Sequence, residues 1–184
     1  MDTKSKKLHA LIKAALTAAI LCVVSPWSLA VGPVPITLCT LFLYLSAYLL
    51  SPLGAAGAVA GYLALGMIGL PVFSGFGSGL GVLSGPTGGY LLGYLLLVPV
   101  CALTVRRFPD RRIPQTVGMI AGTALLYLAG TVWFFLLTHR DPVSALGICV
   151  LPFLPGDALK ILAAVSLGPL LRKRIFPERE GGQS

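Results

Sequence analysis

The charges of this chain avoid six apolar runs and gather between them, and this arrangement constrains the fold more than any single motif. The runs cover about 8–29, 37–50, 53–70, 89–105, 116–138 and 156–171. A helix needs roughly 20 apolar residues to cross a bilayer core of about 30 Å. The second and sixth runs fall short of that, so they are expected to tilt or to extend into their loops. Only 11% of the residues are charged, against about 25% in soluble domains. These features predict an all-α membrane protein with six transmembrane helices, one integral-membrane unit over 1–184 with no separate soluble domain.

The basic residues orient the bundle. Lys4, Lys6, Lys7 and Lys13 precede or open the first run. Arg106, Arg107, Arg111 and Arg112 separate the fourth run from the fifth, and Arg172, Lys173, Arg174 and Arg179 follow the sixth. With six spans, all three clusters fall on one side, which the positive-inside rule makes cytoplasmic. Twelve of the fourteen basic residues then lie inside, with both termini. The segments 30–36, 71–88 and 139–155 face outward. The net charge of +8 is thereby a membrane-orientation signal, and no nucleic-acid partner is expected.

Other classes lack their residues. There is no Walker A pattern, so the chain cannot use ATP by itself. Cys22, Cys39, Cys101 and Cys149 are scattered among apolar residues and read as small buried hydrophobes. With only His9 and His139 to assist them, neither a metal site nor a catalytic group is expected. The start of the chain imitates a signal peptide ending at Ser28-Leu29-Ala30, but the run is long enough to span and is expected to be retained.

Within the runs one feature stands out. Asp157 and Lys160, in Pro155-Gly156-Asp157-Ala158-Leu159-Lys160, head the sixth run. An ionisable residue at membrane depth costs about 2.5–3.5 kcal/mol on insertion scales and marks a functional site by default. At i and i+3 the two project from one helix face. The surrounding prolines and glycines place Asp157 at or near the N-cap of the last helix. A plain cap, a structural ion pair and a ligand-binding pair are the competing roles. An acceptor-only carboxylate beside a three-donor ammonium suits a ligand bearing both donors and an anion. An intramembrane enzyme lacks a second acid or a His near the pair, whereas a proton-coupled carrier remains an alternative.

Three further segments draw attention. The outward segment 71–88 holds glycines interleaved with Phe73, Phe76, Leu80 and Leu83. Long loops of this kind are often lids or binding loops. The prolines of Gly32-Pro33-Val34-Pro35-Ile36-Thr37 stiffen a loop that suits one wall of an outward pocket. In the first run Ala10, Ala14 and Ala18 repeat every four residues, a stripe that lets another helix approach closely. Trp133, in the outer part of the fifth run, reads as an interfacial belt residue.

Taken in order, Val34-Pro35-Ile36-Thr37-Leu38 with Thr40-Leu41-Phe42, Gly69-Leu70-Pro71-Val72-Phe73, Gly85-Pro86-Thr87-Gly88-Gly89-Tyr90-Leu91 and Leu151-Pro152-Phe153-Leu154-Pro155-Gly156-Asp157 with Lys160 resemble the BioY family. These are the biotin-specific substrate-binding (S) components of energy-coupling factor (ECF) transporters. The resemblance runs over essentially the whole chain. It implies a six-helix S-component fold in a bacterial cell membrane and biotin capture from outside, with no cofactor of its own. It also implies a transmembrane coupling protein (the T component) and two ATPase subunits as partners, with Ala10, Ala14 and Ala18 as the contact to the coupling protein. The site it implies comprises Asp157, Lys160, Phe73, Phe76, Ser84, Thr87, Tyr90, Val34, Pro35 and Thr37. An S component for another vitamin is the alternative within the class. One departure is Cys39, which stands where a polar Gln is expected.

Overall fold

The computed structural model describes residues 3–29, 34–139, 146–147 and 150–175. Among these, seven α-helices dominate: α1 (Thr3–Val24), α2 (Cys39–Leu49), α3 (Pro52–Met67), α4 (Leu80–Ser84), α5 (Gly88–Arg107), α6 (Arg112–Thr138) and α7 (Leu154–Ile175). Each apolar run therefore carries a helix, and the short α4 lies in the connection expected to be a loop. Four helices, α1, α5, α6 and α7, are long and apolar enough to cross a membrane; α2 and α3 are shorter. At 1.5 Å per residue, the 11 residues of α2 reach only about 16 Å.

Proline explains why the first run stops being helical before its last residues. Pro26 has no N–H to continue α1, and the last α-type bond there is Ser25 N–H to Leu21 O at 2.9 Å. The chain then forms β1 (Ser28–Leu29), which pairs antiparallel with β2 (Ile36–Thr37), Ser28 opposite Thr37 and Leu29 opposite Ile36. This ribbon crosses one end of the bundle and delivers the chain to α2. At the other end Ser51 turns α2 into α3. Its Oγ accepts from the Gly54 N–H at 3.0 Å, with Pro52 at the first helical position, where a missing N–H costs nothing.

The segment 71–88 is folded onto the bundle. Phe73 is fully buried and meets the Tyr62 ring edge-to-face at 5.6 Å. A methyl group on Gly66 would enter the Phe73 ring, so only glycine lets that ring seat on α3. The Gly79 N–H donates to Gly66 O at 2.8 Å and the Gly75 N–H to Pro26 O at 3.0 Å. Gly79 holds φ at +82°, a conformation that glycine adopts without steric cost.

Inside the bundle α2 packs between α5 and α7, and α5 lies along α6. One face of α2 presents Thr40, Tyr44 and Tyr48 at intervals of four residues. Tyr48 donates to Gln115 Oε1 at 2.8 Å, and the Tyr44 hydroxyl meets Thr123 Oγ1 at 2.6 Å. Gln115 in turn donates to the carbonyls of Phe108 and Pro109, at 2.7 and 2.9 Å. Such interhelical bonds average about 0.6 kcal/mol in bilayers. Their greater effect is to fix the register of α2 against α6, which sets Thr40 opposite the start of α7.

Candidate ligand-binding site

Asp157 lies one turn inside α7 rather than at its N-cap. Its N–H donates to Phe153 O at 2.8 Å, and the helix already begins at Leu154. Pro155 does not delay the helix because first-turn N–H groups have no intrahelical acceptor anyway. The side chain is thus free of capping and faces the bundle interior, with the residue only 5% exposed.

Every polar atom of the pair is engaged. Asp157 Oδ1 accepts from Lys160 Nζ at 2.9 Å and from Thr40 Oγ1 at 3.2 Å, and Oδ2 accepts from the Tyr127 hydroxyl at 2.6 Å. Lys160 Nζ also donates to Thr37 O at 2.7 Å and to Thr40 Oγ1 at 3.0 Å. An ammonium has three donors, and all three have acceptors here. A carboxylate offers about four acceptor positions, so Asp157 keeps spare capacity. The desolvation cost of a buried ion pair is offset only when such additional hydrogen bonds are present. They join four elements at one point: β2, α2, α6 and α7.

The cluster borders a cavity of about 40 Å³ at the end of the bundle crossed by the β-ribbon. Six of the ten sequence-derived site residues line it: Val34, Pro35, Thr37, Tyr90, Asp157 and Lys160. The other four do not. Phe73 is buried against α3, and Phe76 stacks edge-to-face on Trp27 at 5.8 Å. Ser84 is exposed, its Oγ donating to Leu80 O at 3.0 Å. Thr87 precedes α5, where its carbonyl accepts from the Tyr90 and Leu91 N–H groups at 3.1 and 3.2 Å; it starts the helix that carries Tyr90 into the cavity. The Tyr90 ring lies over Gly130, where any side chain would collide with it.

Sequence reading missed Thr40, Tyr94, Leu126, Tyr127 and Phe153, which complete the lining. Two signals pointed to the tyrosines among them. Tyr90 and Tyr94 are four residues apart on one helix face, and a tyrosine within an apolar span needs a partner for its hydroxyl. Cys39 is buried at the start of α2, and its N–H donates to Thr37 Oγ1 at 3.2 Å; it is absent from the lining. Trp133, read as a belt residue, donates from Nε1 to Gly85 O at 3.0 Å and ties α6 to the 71–88 segment.

A larger apolar cavity, about 380 Å³, lies between α6 and α7 and is lined by Ile120, Thr123, Ala124, Leu154, Ile161 and others. Tyr127 and Asp157 line both cavities and so form the partition between them. Small-molecule sites measure about 300–1,000 Å³, which the smaller cavity reaches only together with its neighbour. Away from this site, Ala10, Ala14 and Ala18 line a groove of about 510 Å³ whose other wall is Gly54, Gly57 and Gly61 of α3.

The apolar helices, the buried ion pair and the ribbon-capped cavity define an S-component-type membrane bundle. The structure superposes on the crystal structure of the S-component for biotin from an ECF-type ABC transporter, with a TM-score of 0.85 and 25% identity over 94% of this chain and 95% of that one. The chain belongs to the BioY family, whose sequence profile matches residues 1–176. It is 36% identical to the biotin transporter BioY2 of Lactococcus lactis subsp. cremoris, over 90% of this chain and 91% of that protein. It is 37% identical to the biotin transporter BioY of Thermotoga maritima, over 90% and 97%.

Proposed function

We propose that this chain captures biotin at the outer face of a bacterial cell membrane, as the S component of an ECF-type importer. The observation that carries the reading is the buried Asp157–Lys160 pair, 2.9 Å apart, at the cavity of a BioY-family chain. Biotin's ureido ring offers two N–H donors and a carbonyl, its thiophane ring is apolar, and its side chain ends in a carboxylate. The spare acceptor capacity of Asp157 suits a ureido N–H, in a charge-assisted bond about twice as strong as a neutral one. A ligand carbonyl reaches Lys160 only by replacing one of its present acceptors. Tyr90 and Tyr94 supply ring surface for the apolar part, and the cavity widens at the Tyr127–Asp157 partition as the ligand enters.

The bundle is read as one substrate-binding unit of six membrane segments, α1, α2, α3, α5, α6 and α7, with both termini cytoplasmic. The three basic clusters support that orientation. Translocation rests on partners, a T component and two ATPases, because the chain carries no nucleotide motif. The groove of small residues between α1 and α3 supports docking there: only 11% of the apolar window of α1 is buried within the bundle. The roles of Phe73, Phe76, Ser84 and Thr87 are indirect on this reading, holding the 71–88 segment and the start of α5. A thermal-shift series with biotin, riboflavin and thiamine tests the reading. A ligand at 100 times its Kd adds about 2.7 kcal/mol of stability, so biotin alone is expected to raise the Tm. A shift with another vitamin and none with biotin would refute it.

A further inference from the structure

At the end of the bundle opposite the ion pair, four helix ends border an open polar cleft of about 280 Å³, with Arg106 and Arg172 exposed at its rim. Its lining includes Tyr48, Leu50, Ser51, Val105, Arg106 and Arg172. The two guanidinium groups come from the ends of α5 and α7. Neither has an ion-pair or hydrogen-bond partner among the described residues, and no acid lines the cavity. The Tyr48 hydroxyl is committed to Gln115. Ser51 Oγ accepts from the Gly54 N–H, which leaves its own O–H as a donor. The chemistry on offer is therefore two planar donor forks and a hydroxyl, with nothing among the described residues to neutralise them. Guanidinium forks match the paired oxygens of a phosphate.

The surroundings narrow the source of that phosphate. Leu53, 85% exposed, stands two residues after Ser51, and Leu103 and Leu170, both exposed, precede Arg106 and Arg172 on their helices. Cations at the helix ends with exposed leucines beside them, Leu103 a full turn deeper than Arg106, reproduce the profile of a phospholipid, a charged head above apolar chains. Basic pockets between transmembrane helices on the cytoplasmic side bind anionic headgroups. The positive-inside rule accounts for arginines at this end of the bundle, but not for the convergence of two of them, from different helices, on one cavity. We propose that this cavity holds the phosphate of an anionic phospholipid. The proposal stands apart from the biotin site, since the cavity shares no residue with it.

The test is lipid retention by the full chain purified from mixed micelles of phosphatidylglycerol and phosphatidylcholine, read by native mass spectrometry. Wild type is expected to retain phosphatidylglycerol preferentially. The pair Arg106→Gln/Arg172→Gln loses about tenfold of that preference, while Arg107→Gln/Lys173→Gln, which removes equal charge one residue away on each helix, keeps it within about twofold. Equal loss in both pairs would overturn the proposal in favour of diffuse attraction. Displacement of the lipid by glycerol 3-phosphate at equal concentration would overturn it in favour of a soluble phosphate. Unchanged Tm in both pairs establishes that the comparison is made between folded proteins.

Discussion

The Tyr127 hydroxyl donates to Asp157 Oδ2 at 2.6 Å, and the two residues together form the partition between the small polar cavity and the apolar one beside it. Tyr127 thus holds the carboxylate at the rotamer that Lys160 and Thr40 share. Tyr127→Phe removes that donor without opening space. A hydrogen bond to a charged group contributes about 1.5–3 kcal/mol, so biotin affinity should fall about ten- to a hundredfold in a calorimetric titration. Unchanged affinity would show that the hydroxyl does not set the site.

Lys160→Met is expected to destabilise the protein as well as abolish binding. It leaves a buried carboxylate without its cation, which costs about 3–5 kcal/mol. Asp157→Asn combined with Lys160→Met removes both charges and should recover most of the Tm of wild type. Binding should stay lost. A double variant that regained both would reduce the pair to a structural bridge.

Thr40 accepts from Lys160 and donates to Asp157, so Thr40→Val breaks two contacts of the cluster at nearly constant volume. The expected result is a loss of about 1–3 kcal/mol in stability from the unsatisfied partners, with weaker biotin binding. Thr40→Ser should keep both contacts and most of the affinity.

Gly66→Ala drives a methyl group into the Phe73 ring. Overpacking of this kind costs about 1–3 kcal/mol, and the strain falls on the 71–88 segment. Faster proteolysis within 71–88, relieved by a second substitution Phe73→Leu, is the expected pattern.

The helical runs and the ion pair were legible in the sequence because both rest on strong one-dimensional signals. Hydrophobic length specifies helices, and a charge in an apolar run is costly enough to stand out. What escaped was decided by partners distant in the chain. Phe73 and Phe76 have the composition of a lid, yet the missing side chain of Gly66 draws Phe73 into α3, and Trp27 holds Phe76. Thr40 has no local signature, and Tyr127 signals only that its hydroxyl needs a partner; both reach Asp157 through the register of α2 against α6, which Tyr44–Thr123 and Tyr48–Gln115 fix. Asp157 lies near the N-cap of α7 but not at it, because the first turn of a helix accepts the prolines that precede it.

Ala14→Leu fills the groove between α1 and α3. Docking through that stripe predicts that this variant binds biotin normally but no longer co-purifies with the T component and ATPases. Uptake by the assembled importer should need the ATPases and be insensitive to a proton uncoupler. Full assembly of the variant would place the contact elsewhere.

The most direct test is equilibrium dialysis of labelled biotin against the purified chain and its Asp157→Asn/Lys160→Met double variant, both shown folded by their Tm. Saturable binding by wild type, absent from the double variant, is the predicted result. Equal binding by the two proteins would contradict the assignment of Asp157 and Lys160 as the biotin site.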